Sequence, residues 1–355
     1  MCSRLPALIY LAAAVLFAAA QLNAQSPPAS LDQQSGPGPV LKNAPLPKST
    51  IRVNVDLVNI FFSVRTKKNG RLIPNLGKQD FKVYEDGRQQ TIQQFSRETN
   101  LPLTLGLLID VSVSQERLID TEREAAAQFF SSVIRPKDEA FLISFGQQTD
   151  LLQDYTNSPR LLTAAMKDLR GDGPGGVMGP APIPNPGPVP QVGRPKGTLL
   201  YDAVYLASTE KLKGMAGRKA LVLITDGDDQ GSYYKLDDAI EAAQRADAII
   251  YSVYYVDRGF YMQAGYGFGG GGGASDLKKM SRETGGHMFK VSRKHPLNKA
   301  FAEIQDEMRN QYSIGYVSTN NKRDGTFRHI KIEVDNHAYQ VEARSGYYAT
   351  PNGTQ

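Results

Sequence analysis

Three short polar segments in this sequence carry side chains able to share one piece of chemistry. Asp110-Val111-Ser112-Val113-Ser114 follows the apolar run Leu103 to Ile109, and Thr225-Asp226-Gly227-Asp228-Asp229 follows Ala220 to Ile224. Gly197-Thr198 stands just ahead of a helical pattern beginning near Leu199. Two carboxylates and several hydroxyls make an all-oxygen donor set, which suits a hard cation such as Mg2+ or Mn2+. In Asp-x-Ser-x-Ser, a turn at a strand end can point alternate side chains toward one place. Ser and Asp are also favoured helix caps, so the pentapeptide taken alone leaves capping open. Asp228 and Asp229 add charge nearby and read as solvated loop carboxylates.

The elements that must position these residues follow from the hydrophobic rhythm. Between about 99 and 310, strand-like runs alternate with helical patterns. The strands are Leu103 to Ile109, Ala140 to Phe145, Leu151 to Tyr155, Ala220 to Thr225, Ala248 to Val256 and His287 to Val291. Helices are expected from Gln115 to Val133, after Ser158-Pro159, from Leu199 to Leu212, Leu236 to Ala246, Asp276 to Glu283 and Pro296 to Asn310. Ser followed by Pro is a good cap and first-turn pair. Continuously apolar strands such as Leu221-Val222-Leu223-Ile224, separated by amphipathic helices, point to a mainly parallel sheet covered on both faces. In such sheets ligands sit beyond the carboxyl ends of the strands, where the three polar segments lie.

The flanks have a different period. Ile51, Val53, Val55 and Leu57 alternate with polar residues, followed by Ile60 to Val64, an Asn69-Gly70 turn, Phe81 to Tyr84, an Asp86-Gly87 turn and Thr91 to Phe95. Beyond 310 come Tyr312 to Val317, an Asp324-Gly325 turn, Phe327 to Val334 and Tyr339 to Ala343. Neither group alone supplies the roughly seven strands of a sandwich. The expected arrangement is one discontinuous antiparallel β-sandwich, residues 51–98 and 311–350, with 99–310 inserted into it.

Asp110-x-Ser112-x-Ser114 closing an apolar strand, Thr198 after two further strands, and Asp226 ending Leu-Val-Leu-Ile-Thr-Asp-Gly together resemble the von Willebrand factor type A (VWA) family and its metal-ion-dependent adhesion site (MIDAS). The resemblance covers about 99–310. Phe81-Lys82-Val83-Tyr84-Glu85-Asp86-Gly87 and Gly346-Tyr347-Tyr348 on the flanks look like a group of exported bacterial proteins, frequent in acidobacteria, that carry this module. The family implies a doubly wound six-stranded sheet in which Ser112 and Ser114 bind the metal directly, Thr198 binds directly or through water, and Asp110 and Asp226 bind mostly through water. One coordination position is left for an acidic side chain of a protein partner, which implies adhesion or protein binding. Val113 departs from the pattern, since Gly is frequent there; a β-branched residue restricts the loop but removes no ligand.

Two long loops border the same strand ends. Gly171 to Lys196 is rich in Gly and Pro and leads into Gly197-Thr198, and Arg258 to Ala274 carries Tyr261, Tyr266, Phe268 and five glycines from Gly269. The tyrosines and Phe268 are expected to contact a partner; the plainer reading makes both loops insertions of no fixed role.

The chain has 355 residues, 41 Lys and Arg against 36 Asp and Glu, one Cys and no Trp, and 41% hydrophobic content. That composition excludes wholesale disorder, and the small positive excess argues little for nucleic acid. Arg4 followed by the apolar stretch Leu5 to Ala20 and small residues near Ala24 reads as a signal peptide over 1–24, too short for a span of about 20 residues. The expected location is secreted, periplasmic or cell envelope. Cleavage removes Cys2, and with it disulfides, cysteine nucleophiles and zinc-thiolate sites. Residues 25–50 read as a flexible linker.

Other chemistry finds less support. His287, His295, His329 and His337 show no His-Glu-x-x-His pattern, no Gly-x-Ser-x-Gly elbow exists, and the glycine run lacks the Lys-Ser/Thr of a phosphate loop. Asp110 and Asp226 with a divalent ion would suit phosphoester hydrolysis, yet Ser112 stands where an aspartyl-phosphate enzyme of the haloacid dehalogenase type has a second Asp. The expectation is a binding module and not an enzyme. A scaffold with an unused metal site and a metal-dependent hydrolase are the alternatives.

Overall fold

The computed structural model describes residues 57–98, 101–172, 197–263 and 273–349. The signal peptide and linker expected over 1–50, the strand residues Ile51, Val53 and Val55, most of the Gly171 to Lys196 loop, Tyr266 and Phe268 lie outside the described residues.

A six-stranded sheet forms the middle of the chain. Its strands are β5 (Leu103–Asp110), β6 (Glu139–Phe145), β7 (Thr149–Thr156), β8 (Arg218–Thr225), β9 (Ala248–Tyr254) and β10 (Met288–Lys290), in the order β10-β9-β8-β5-β6-β7. All neighbours are parallel except β6 and β7. β5 is buried along its whole length, as a strand covered on both faces must be. Strand order reverses between β5 and β8, because the chain leaves β5 toward β6 and returns on the other side to β8. The ends of these two strands form the topological switch point where ligands of such sheets bind.

Helices cover both faces. On one side α1 (Ile119–Val133), α2 (Pro159–Ala165) and α7 (Leu297–Arg309) join Leu105, Leu107, Ile109 and Val222 in one apolar cluster. On the other, α3 (Leu200–Leu206), α4 (Leu236–Arg245) and α6 (Gly273–Thr284) pack on Leu108, Leu221, Leu223 and Ile250. The inward stripe of α1 is Ile119, Glu122, Ala126, Phe129 and Val133, a helical spacing of three and four. Phe129 stacks on Phe301 of α7 with ring centroids 4.5 Å apart. Ser158 caps α2 as expected, its hydroxyl accepting from Leu161 N–H.

Three element readings need correction. The helix expected from Gln115 begins at Ile119, after a 3-10 turn over Glu116–Leu118. Gln115 N–H is taken by Ser112 O at 2.8 Å, so the chain is still turning away from the strand there. The Leu199 to Leu212 helix changes into a wider π-helical segment over Ala207–Leu212. Within that stretch the hydroxyls of Ser208 and Thr209 donate to carbonyls four residues earlier, a contact that perturbs the helical ladder. A short helix unmarked by any apolar rhythm, α5 (Arg258–Gln263), follows β9.

Strands from both ends of the sequence make two four-stranded sheets. One has the order β13-β1-β11-β4, from β1 (Leu57–Thr66), β4 (Ile92–Glu98), β11 (Gln311–Val317) and β13 (Tyr339–Ala343). The other has the order β14-β12-β2-β3, from β2 (Phe81–Glu85), β3 (Arg88–Gln90), β12 (Phe327–Val334) and β14 (Gly346–Tyr348). Pairings such as Leu57 with Val317 and Val83 with Ile332 are antiparallel, so the α/β sheet is an insertion within a discontinuous β-sandwich. Ile60, Phe62, Val83, Tyr312, Ile314 and Ile332 meet between these sheets. The Asp86-Gly87 turn takes φ of 47° and 79°, the positive pair that a tight hairpin requires.

Candidate metal centre

β5 and β8 deliver the two carboxylates. Asp110 is the last residue of β5, Asp226 follows the last residue of β8, and both are buried at the switch point. Asp110 Oδ1 accepts the N–H of Ser112 at 2.9 Å, which turns the chain so that Ser112 and Ser114 face the same way. Their hydroxyl oxygens lie 3.1 Å apart, and Ser114 Oγ donates to Asp226 Oδ2 at 2.7 Å. Val113, between them, is exposed at the rim, so its branched side chain does not crowd the oxygens.

Thr198 lies in the loop that leads into α3. Gly197 takes a positive φ of 58°, and the backbone carbonyl of Thr198 accepts Gln230 N–H at 3.0 Å from the loop after Asp226. Leu199 N–H is held by Gly146 O at the end of β6. The structure joins Asp110, Ser112, Ser114 and Asp226 by hydrogen bonds, whereas the buried Thr198 makes its hydrogen bond through its carbonyl to Gln230 and none to those four residues. Gly227, with φ of 78°, is tight against the start of α6: a Cβ there would stand 2.6 Å from Gly273 O. Only glycine allows that loop to fold back over α6.

Four residues were not singled out for these roles by the sequence. Thr225 Oγ1 donates to Asp110 Oδ2 at 2.5 Å and accepts Gly227 N–H, so it locks the two strand ends together. Gln115 Nε2 donates to Asp226 Oδ2 at 2.9 Å. Tyr261, expected to face a partner, donates its phenol to the same oxygen at 2.8 Å from α5. Glu122 is wholly buried on α1, and neither of its carboxylate oxygens has a hydrogen-bond partner. Glu122 had a sequence signal, a charge at a core position of an apolar helical stripe. Thr225 and Gln115 had none beyond proximity to the motifs. Asp229 has a local duty: it accepts from Ser232 Oγ at 2.5 Å and from Tyr201 N–H at 3.2 Å in the first turn of α3.

The electrostatics are one-sided. Burial, and then the charge of Asp226, push the Asp110 carboxyl up to about 7. Burial, and then Asp110 and Asp226, raise Glu122 well above the usual carboxylate range. Burial and the Asp226 carboxylate keep the Tyr261 phenol protonated far above its ordinary range. Among the described residues no Lys or Arg forms an ion pair with Asp110, Asp226 or Glu122. Buried acceptors without donors, at Glu122 and at Gln115 Oε1, together with adjacent uncompensated carboxylates, are the surroundings that a bound cation relieves. The joined set of two carboxylates and two hydroxyls, Asp110, Asp226, Ser112 and Ser114, has the oxygen chemistry of a site for a hard divalent ion. Among the described residues no group of three or more His, Cys, Asp or Glu converges on one point, so the site is rich in hydroxyls and not a carboxylate cage.

No family model matches this sequence, and no curated protein matches it. Solved structures overlap it in part. BatB from Bacteroides thetaiotaomicron is 15% identical, with 58% of this chain covering 97% of that one at a TM-score of 0.37. The SpRpn10 VWA domain is 13% identical, with 58% covering 95% at 0.36. Proximal thread matrix protein 1 from the mussel byssus, in a form described as having a zinc-occupied MIDAS motif, is 13% identical, with 62% covering 48% at 0.42. This chain therefore spans about half the length of the mussel protein.

Proposed function

We propose that this chain is an exported VWA-type protein-binding module whose switch-point site holds a divalent cation, Mg2+ or Mn2+, and through it an acidic side chain of a protein partner. Ser112, Ser114 and Thr198 are the direct ligands in this reading, and Asp110 and Asp226 act mostly through water. The observation that carries it is the burial of Asp110 and Asp226 together, beside two hydroxyls 3.1 Å apart, with no cationic side chain among the described residues to offset them. The cation would supply a strong, directional bridge between two sets of oxygens, removable by chelation. Thr225 and Gln115 hold the two Asp side chains in place, and Tyr261 and the exposed Val113 form part of the rim that a partner meets. The absence of a second Asp at position 112 supports binding over turnover. Among the described residues no helix is long and apolar enough to cross a membrane.

The test is calorimetric titration of Mg2+ and Mn2+ with thermal melting, with and without chelator, beside Asp110→Ala. Saturable binding lost in the variant is the expected result. A cation at 100 times its dissociation constant should add about 2.7 kcal/mol of stability. Absence of binding by the wild-type chain refutes the metal-dependent mechanism. Binding that persists while an acidic-peptide partner is indifferent to Thr198→Ala would leave a scaffold with an unused site.

A further inference from the structure

Every carboxylate oxygen of Asp110 and Asp226 already holds a donor from within the chain. Asp110 accepts Ser112 N–H at Oδ1 and the Thr225 hydroxyl at Oδ2, and Asp226 Oδ1 accepts Asp228 N–H at 3.2 Å. Asp226 Oδ2 is the crowded atom. It takes three donors at once: Ser114 Oγ at 2.7 Å, the Tyr261 phenol at 2.8 Å and Gln115 Nε2 at 2.9 Å. A carboxylate offers about four acceptor positions over its two oxygens, so three donors on one oxygen leave no position there for a further water. Ser114 and Gln115 belong to the turn that leaves β5, and moving them would disturb the site itself. Tyr261 comes from α5 and is the donor that can leave while both strand ends stay in place.

α5 does not share in the packed core. Phe260 and Tyr261 pack edge to face with centroids 5.5 Å apart, yet neither belongs to the apolar clusters of the α/β unit. At its start Asp257 Oδ1 accepts Gly259 N–H, and Asp257 pairs at 3.9 Å with Arg117, a side chain 62% exposed. Exposed pairs contribute little, and segments with few buried apolar contacts open at low cost.

We infer that α5 is a latch on the cation site: the Tyr261 phenol holds the Asp226 oxygen that a water between Asp226 and the cation has to use, and loading the cation releases it. The inference rests on the proposed cation site and adds how that site is regulated. Release would free Tyr261 and Phe260 for a partner, so that partner contact and cation loading are coupled. Because the phenol contact belongs to the cation-free state alone, what it contributes there is withheld from cation binding, and removing it strengthens binding by the same factor.

The experiment compares wild type and Tyr261→Phe by calorimetric titration with Mn2+ and by melting in chelator. The expected dissociation constant of the variant is about fivefold tighter than wild type, the lower end of such couplings, with a lower melting point in chelator. A Tyr261 that only supports the site would leave the affinity within about twofold of wild type or weaken it, and either result overturns the latch. The chain has no Trp, so Phe260→Trp places a sole indole reporter on α5. Its emission should move to longer wavelength as Mg2+ saturates the site, and unchanged emission at saturating Mg2+ also overturns the latch. Failure of both wild type and Tyr261→Phe to bind Mn2+ overturns the cation site and the latch with it, a result distinct from equal affinity in the two proteins.

Discussion

Glu122 on α1 and Glu307 on α7 are both wholly buried, on neighbouring helices that cover the same face of the six-stranded sheet, yet they meet opposite surroundings. Glu307 receives the hydroxyl of Ser63 at 2.9 Å and an ion pair from the buried guanidinium of Arg65, both from β1 of the flanking sandwich. Arg65 also donates to Gly70 O at 2.9 Å and lies over the ring of Phe289. Every part of that cluster comes from the chain itself. Neither carboxylate oxygen of Glu122 has a hydrogen-bond donor, and burial, then the charges of Asp110 and Asp226, raise its carboxyl well above the usual range. Where a buried charge is answered from within the chain, it fixes how two elements sit together. Where it is not, the structure favours an answer from outside.

The largest expected effect tests the satisfied side. Arg65→Ala leaves Glu307 buried with one hydroxyl partner, and removing one member of a buried pair costs about 3–5 kcal/mol. Urea unfolding should show that loss, and a loss below about 1 kcal/mol, the scale of an exposed pair, would break the comparison. The next effect concerns pH on the unanswered side. Folding raises the Asp110 carboxyl from 3.8 to about 7, so the folded chain keeps a proton that the unfolded chain has released. The corresponding stability is fully present below about pH 4 and is lost as pH rises through about 7, at roughly 1.4 kcal/mol per pH unit from this group. In chelator the melting point should fall across that window, and saturating Mg2+ should flatten the fall. A melting point in chelator that rises from pH 5 to 7 contradicts the assignment. The smallest effect is at the rim: Tyr261→Phe removes one donor to Asp226 and should cost about 1 kcal/mol in chelator. A change larger than about 2 kcal/mol would mean that α5 supports the site far more than a single phenol contact does.

Much of this was legible because it depended on period and order. The continuous runs of β5 and β8 marked buried parallel strands, and the polar residues after them had to lie at the carboxyl ends. The alternation in β12, where Ile330 and Ile332 are buried and His329 and Lys331 exposed, placed that strand on a sandwich. Elements without a rhythm were missed. β3 and β14 have three residues each, too few to show a period, and α5 is a single short turn after a strand. The Gln115 helix start was misplaced because apolar spacing does not register a side chain diverted to a carboxylate. Within the site, types and order exposed Asp110, Ser112, Ser114, Thr198 and Asp226, but not the donors that orient them. Thr225 is an ordinary strand residue by sequence, and its role exists only because β5 and β8 are neighbours.

The pairing of Leu57 with Val317 joins strands from opposite ends of the chain, so β1 waits for its partners when the chain is made from its N-terminus. β1 is complete long before β11 and β13 exist, and until then it is a strand with two open edges and an apolar face of Ile60, Phe62 and Val64. Every strand of the six-stranded sheet lies between Leu103 and Lys290, so that sheet needs nothing from the flanks to pair. Once formed, it brings its own two ends together: Arg218 on β8 donates to Leu101 O before the first strand and to Met308 O near the end of the last helix. With that unit folded, the separation of more than two hundred residues between β4 and β11 is shortened to a few, which lowers the closure entropy of their pairing.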